Sequence, residues 1–304
     1  MLQIDFINVG YGDSILVRDT EASFSMLVDC GDVHVGQSRP DGLRISAADY
    51  LRREGVEALD LLVLTHLHLD HAGGLARLLP GIRVQELWTN YLPPEEAWGK
   101  QLSVPAGWSA GARCLMQSLN IYLEALDRLR TQGTQIRLIQ KTQDSRQLTP
   151  QLNVGIYLEE ARLQQRQAEI WSAALNGTAA GEDLDELDGF INNTSIRLRL
   201  SCEGADVELP GDVYAACWEK HSLSPCTVMK MPHHGHRDAL TPRLLEMLRP
   251  RYAVISVSDS RTDDCPSADV FRMLSEFGVK VFYTDAIRDL SLIHISEPTR
   301  RSYI

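Results

Sequence analysis

The sequence predicts an α/β sandwich, two β-rich halves with helices packed outside them. Three observations predict it. The first third is rich in short apolar runs joined by Gly- or charge-containing turns. The run Leu61-Leu62-Val63-Leu64 reads as a buried strand, and it stops abruptly at a polar cluster. The last third alternates strand-like and helix-like segments. Composition agrees: of 304 residues, 44% are hydrophobic and 23% charged, as in an ordinary globular chain.

Residues 2–8, 13–18 and 24–29 cluster or alternate apolar side chains and read as strands. Residues 46–53 read as a helix, with Ala47, Ala48 and Leu51 on one side and Ser46 as its cap. A strand over 60–65 follows, then a helix over 72–79 that ends before Pro80-Gly81, then a strand over 84–88. Residues 89–190 read as a helical insertion. Within it, 112–132 carries Leu115, Leu119, Tyr122, Leu123, Leu126 and Leu129 at helical spacing, and 158–175 reads as a second helix. Trp88, Tyr91, Trp98 and Trp108 lie among prolines, where they line a cleft or, by the favoured reading, staple the insertion to the core. The acidic run 181–188 reads as a solvated loop rather than a metal or partner site. Strands are expected at 195–200, 206–209, 227–231, 252–257 and 279–283, and helices at 213–221, 242–248 and 267–277.

Residues 65–71 are Thr-His-Leu-His-Leu-Asp-His, followed by Ala72-Gly73-Gly74. Imidazole nitrogen and carboxylate oxygen are the atoms that zinc, iron and manganese take as ligands. A packing explanation is poor, because a neutral core gains nothing from His66, His68, Asp70 and His71. His66 and His68 are two apart, so in an extended segment both leave the same face toward one metal. Asp70 and His71 come where the chain turns into a helix and can reach a second. Gly73-Gly74 lets that helix start approach closely. The bland alternative is a polar loop with chance histidines.

The segment resembles the His-x-His-x-Asp-His signature of the metallo-β-lactamase superfamily. Leu27-Val28-Asp29-Cys30-Gly31 resembles the family's Asp-x-Gly element. Phe6 to Ser14, Asn192-Asn193-Thr194-Ser195, Leu209-Pro210-Gly211-Asp212 and Met231-Pro232-His233-His234-Gly235 follow in the expected order. Together they are similar to the hydrolase domain of the competence channel protein ComEC and its free-standing relatives, over roughly 1–80 and 190–287. The resemblance implies a metallo-β-lactamase αββα sandwich with a helical insertion. It implies His66 and His68 on a first metal, Asp70, His71 and His234 on a second, and Asp212 bridging both. Asp29 would orient a ligand histidine through its other nitrogen. His233 would face substrate, and Asp70 and His233 would serve catalysis. The implied cofactor is two divalent ions, zinc before manganese. The implied activity is hydrolysis by a hydroxide generated on the metals, on a phosphodiester or nuclease-like phosphoester substrate, small-molecule or nucleic-acid. Hydrolysis of a lactam, lactone or thioester is the alternative, and a non-catalytic binding partner on the same fold is a third reading.

Two departures stand out. Many relatives supply a third histidine to the first metal, yet residues 72–211 contain none. Asp264-Cys265-Pro266 stands where the subgroup has Gly-His-Pro, so Cys265 is either a lost catalytic position or a buried thiol.

Bulk properties narrow the partners. The net charge of −11 argues against strong non-specific nucleic-acid binding. No apolar run approaches the ~18–20 residues that span a bilayer. The start, Met1-Leu2-Gln3-Ile4-Asp5, lacks a signal-peptide pattern, so no membrane association and a cytoplasmic location are expected. Six cysteines without C-x-x-C spacing are expected to be reduced. From Ser291 the chain resembles a translated sequencing-adapter read-through. The expectation is one domain over 1–290 and a non-native tail over 291–304, with His294 outside the site.

Overall fold

The computed structural model describes residues 1–36, 44–202, 204–257, 265–285 and 293–294. Two sheets form the centre. The first holds β1 (Leu2–Phe6), β2 (Ile15–Asp19), β3 (Phe24–Val28), β4 (Ala58–Val63), β5 (Arg83–Thr89) and β6 (Gln135–Leu138). The second holds β7 (Gln143–Thr149), β8 (Leu152–Tyr157), β9 (Arg197–Cys202), β10 (Ala205–Leu209), β11 (Val228–Lys230), β12 (Tyr252–Ile255) and β13 (Lys280–Tyr283). A two-residue strand, β14 (Ile293–His294), pairs with β1 at the edge of the first sheet.

The strand orders are β14-β1-β2-β3-β4-β5-β6 and β13-β12-β11-β10-β9-β8-β7. In each sheet an antiparallel half gives way to a parallel half, at β3/β4 in the first and at β10/β11 in the second. Helices cover the outer faces: α1 (Ala47–Arg53), α2 (Leu69–Ala72), α3 (Leu75–Leu78), α4 (Ala110–Gln132), α5 (Ala161–Leu175) and α6 (Gly181–Asp188) on the first, and α7 (Ala215–Trp218), α8 (Pro242–Leu248) and α9 (Ala268–Glu276) on the second.

The order of layers follows from side-chain alternation. In β4, Leu61 and Val63 face the seam between the sheets, where they meet Val154, Leu198 and Val207. Leu62 faces outward, into the cluster that holds Leu51, Leu119 and Trp171 of the helices. Both faces are buried, so the strand reads as a continuous apolar run. Burial of this kind is worth ~1.5–3 kcal/mol per large aliphatic side chain. The architecture is the αββα sandwich that the sequence predicts.

Most expected elements are present with shifted ends. Ser46 caps α1 by accepting from Asp49 N, as expected. The helix expected over 72–79 is two short turns, α2 and α3, and that over 213–221 is only α7. Residues 89–190 carry helices as expected, but they also supply β6 to one sheet and β7 and β8 to the other. Polar β6 and β7 lie at sheet edges, where alternation is weak. Trp88 and Tyr91 are buried and Trp98 donates to Pro93 O at 3.0 Å, so this aromatic group packs. The acidic run corrects an expectation: it is helix α6, not a loop. Leu184 and Leu187, three apart, drop into the core beside α4, and Asp183 Oδ2 accepts from Ala180 N at 2.8 Å. Among the described residues no helix is long and apolar enough to cross a membrane. Asp264 and the tail apart from 293–294 lie outside the described residues.

Candidate metal centre

The site lies beyond the C-terminal ends of the parallel strands of both sheets, where ligand sites of α/β sheets generally form. The first sheet contributes the chain after β3 and β4. Asp29, fully buried, accepts from Thr65 N at 2.8 Å and from Thr65 Oγ1 at 2.7 Å. Its Oδ2 also lies 2.8 Å from His71 Nδ1. A carboxylate only accepts, so Nδ1 carries the proton and Nε2 is turned inward, free to serve a cation. Gly74 makes the turn possible, since a Cβ there would come within 2.0 Å of Cys30 O.

His66 is also fully buried. Its Nδ1 lies 3.1 Å from Thr65 Oγ1 and 3.2 Å from Ser195 Oγ. Both hydroxyls already give their protons away, Thr65 to Asp29 and Ser195 to Asn192 O at 2.7 Å. His66 Nδ1 is therefore the donor, and Nε2 is left bare, buried and without a hydrogen-bond partner. Burial, reinforced by His71 and His68, pushes its pKa well below the ordinary value, so the ring stays neutral. His68 packs beside it at 4.9 Å between ring centroids, and its Nε2 too has no hydrogen-bond partner.

The second sheet contributes Asp212 after β10 and His233-His234 after β11. His234 Nδ1 donates to Ser256 O at 3.1 Å, which again leaves Nε2 facing inward. That nitrogen lies 3.0 Å from Asp70 Oδ2 and 3.4 Å from Asp212 Oδ2. His71 Nε2 lies 3.2 Å from Asp212 Oδ2 and 3.7 Å from Asp70 Oδ2. Asp70, His71, Asp212 and His234 thus each offer an atom within 4.8 Å of the others. His66 and His68 stand beside this group, not within it. Burial works against charge on His71, but Asp212, Asp70 and Asp29 outweigh it and raise its pKa well above the ordinary value. Burial likewise raises Asp70 and Asp212, yet His71 and His234 prevail and hold both carboxyls low. A cation at this point would take over the charge that His71 supplies here.

His233 sits at the mouth, one-fifth exposed. Its backbone N donates to Asp212 Oδ1 at 3.2 Å, and its Nδ1 lies 2.8 Å from Asp238 Oδ1. Burial lowers its pKa, but the Asp238 contact and the Asp212 charge overcome this and raise it. His233 and His234 both have positive φ, 44° and 51°, a conformation non-glycine residues hold only where the surroundings enforce it. Asn192 Nδ2 lies 3.3 Å from His233 Nε2 and donates to Tyr214 Oη at 3.2 Å.

The sequence reading missed three groups. Lys230, fully buried at the end of β11, pairs with Asp13, with Asp212 Oδ1 at 3.3 Å, and donates to Gly211 O at 3.2 Å. Burial lowers its pKa, but Asp13 and Asp212 reverse this and raise it, so it stays charged. A lysine inside Val228-Met229-Lys230-Met231 was a findable signal, because a buried amine needs acids. Asp13 had been read only as the start of the strand over 13–18 and as part of the resembling stretch Phe6 to Ser14. Asp188 of α6 brings Oδ1 to 3.3 Å from His68 Nε2. Cys265 is buried.

The donor set fits a divalent cation: fixed imidazole tautomers with Nε2 inward, an orphaned buried Nε2 on His66, and Asp70 and Asp212 converging on those nitrogens while Lys230 pairs with Asp13 and Asp212.

Comparison with known proteins agrees with this geometry. The family model described as the metallo-beta-lactamase superfamily matches residues 7–95, the stretch that carries Asp29 and the His66–His71 cluster. ComE operon protein 3 of Bacillus subtilis (strain 168) is 22% identical over 302 residues, covering 93% of this chain and 32% of that protein. The chain thus spans about a third of the length of the curated relative it matches. The solved metallo-beta-lactamase fold protein YhfI from Bacillus subtilis superposes with a TM-score of 0.53 at 12% identity, covering 93% of this chain and 96% of that one.

Proposed function

We propose that this chain, a member of the metallo-β-lactamase superfamily, is a two-metal hydrolase of phosphodiesters. The observation that carries the reading is the buried constellation of inward Nε2 atoms and carboxylates around Asp212, which no packing role explains. Asp70, His71, Asp212 and His234 would hold one cation, and His66 and His68 a second with Asp212 between them. Divalent ions there supply a water of lowered pKa and neutralise charge growing on the substrate oxygens.

The chain's own residues supply the rest. Asp29 and Ser256 O fix the rings of His71 and His234. Lys230 offsets part of the acid excess and steers one oxygen of Asp212 away from the cations. His233, oriented by Asp238, stands at the mouth where it can give a proton to the departing oxygen. Burial, then the charge on Asp238, Asp212 and Asp188, raises the Tyr214 pKa, so the phenol remains a neutral hydrogen-bonding group beside it. The charge of −11 favours a small or loosely held phosphoester over tight, sequence-blind gripping of nucleic acid.

The test is turnover of bis(p-nitrophenyl) phosphate beside nitrocefin, with zinc or manganese added and bound metal measured on the same sample. Diester cleavage that vanishes in Asp212→Ala is the expected result. Metal bound with nitrocefin alone turned over would move the assignment to carbonyl substrates. Absence of bound metal after reconstitution would overturn both.

A further inference from the structure

We infer that Asp188, from the segment between the two halves of the motif set, is a ligand of the cation held by His66 and His68, in place of the histidine that residues 72–211 lack. The inference rests on the metal-centre reading above and adds a ligand to it.

His66 Nε2 is bare and fully buried, and His68 Nε2 has no hydrogen-bond partner either. Asp188 Oδ1 nevertheless lies 3.3 Å from His68 Nε2. A carboxylate oxygen and an unprotonated imidazole nitrogen are both acceptors and repel at that distance. Something positive belongs between them, and the bare Nε2 of His66, whose ring centroid stands 4.9 Å from that of His68, makes a metal ion that draws the three together a better candidate than a proton on His68 alone. Among the described residues, no lysine or arginine pairs with Asp188.

The carboxylate is placed by structure and not by chance. Asp188 is the last residue of α6, which is pinned by buried Leu184 and Leu187. Ser109, the cap of α4, bonds to Asp185, and Arg166 holds Glu186 at 2.9 and 2.5 Å. A negative side chain at a helix C-terminus opposes the helix dipole, a cost that a facing cation removes. Gly111 in the first turn of α4 leaves the carboxylate its seat: a Cβ there would stand 2.6 Å from Asp188 Oδ2. The side chain is 43% exposed, so this edge of the centre is open to solvent and substrate. A carboxylate in place of an imidazole makes the site harder, and shifts its preference from zinc toward manganese.

The experiment is equilibrium dialysis of the chelator-stripped full chain against manganese or zinc, read as metal per chain by mass spectrometry. Wild type is expected to bind two ions. Asp188→Ala should lose one, with first-site affinity down by roughly tenfold or more. Asp188→Asn should do the same while keeping the side-chain shape, and Gly111→Ala should weaken the same site by displacing the carboxylate while removing no donor residue. Asp188→His should hold two ions and prefer zinc. Two ions at wild-type affinity in Asp188→Ala and Asp188→Asn would reduce Asp188 to a surface partner of His68, and would leave the hydrolase reading intact. No ion in wild type would overturn both.

Discussion

The two sheets have the same pairing pattern and use it differently. Each runs from an antiparallel half into a parallel half, and each places an aspartate just beyond the last antiparallel strand before the switch, Asp29 after β3 and Asp212 after β10. The next strand in each ends in histidines, His66 to His71 after β4 and His233-His234 after β11. Yet Asp29 is saturated by Thr65 N, Thr65 Oγ1 and His71 Nδ1, all donors of the fold. Asp212 turns one oxygen to Lys230 and His233 N, and leaves Oδ2 against two imidazole Nε2 atoms. Position relative to the switch point therefore brings a carboxylate to the site. What its oxygens meet there decides whether it braces a histidine or stays open to a cation.

The sharpest way to break this contrast is to remove both aspartates in turn. Asp212→Ala should lower diester turnover by more than about 10³-fold, because both halves of the centre lose their common oxygen. Asp29→Asn should cost only ~10–100-fold in metal affinity, measured by competition with a chelating dye, since it loosens one ring. Equal losses in the two variants would end the distinction.

Between these extremes lies the lysine that makes Asp212 differ from Asp29. Lys230→Met leaves buried Asp13 without its cation and should destabilise the fold by about 3–5 kcal/mol, read from urea unfolding of the metal-free protein. An unchanged midpoint would show that the pair is solvated.

A smaller effect should appear at His233→Gln. Its loss should be about 10²-fold for a diester with an alkyl leaving group and much less for p-nitrophenolate, which departs without a proton. The same loss for both leaving groups would remove the proton-donor role.

Much of this centre was legible in the sequence. Local spacing alone put His66 and His68 on one face, and the resemblance brought in Asp29, Asp212, His233 and His234. The structure brings them to one place, and the orphaned Nε2 of His66 gives the pattern its physical sense. Three contributors were not legible, for different reasons. Asp13 stands at the start of an expected strand, with nothing local to mark it. Lys230 was hidden inside a short strand. Asp188 belonged to a run whose acids outnumber its two leucines, so the eye took it for solvent-facing chain.

What the sequence determined by itself was therefore the chemistry: which ligand types exist, in what order, and on which strand ends. The His66–His71 cluster shows in local spacing, and the order of the other motifs shows in the family resemblance. The tertiary structure alone decided which carboxylates meet inward imidazole nitrogens and which brace a ring, because that depends on donors brought from far along the chain. His71 meets Asp212 across 141 positions, and His234 meets Asp70 across 164. It also decided that an acidic segment far from the motif points at its histidine, since only the packing of α6 against α4 carries Asp188 there.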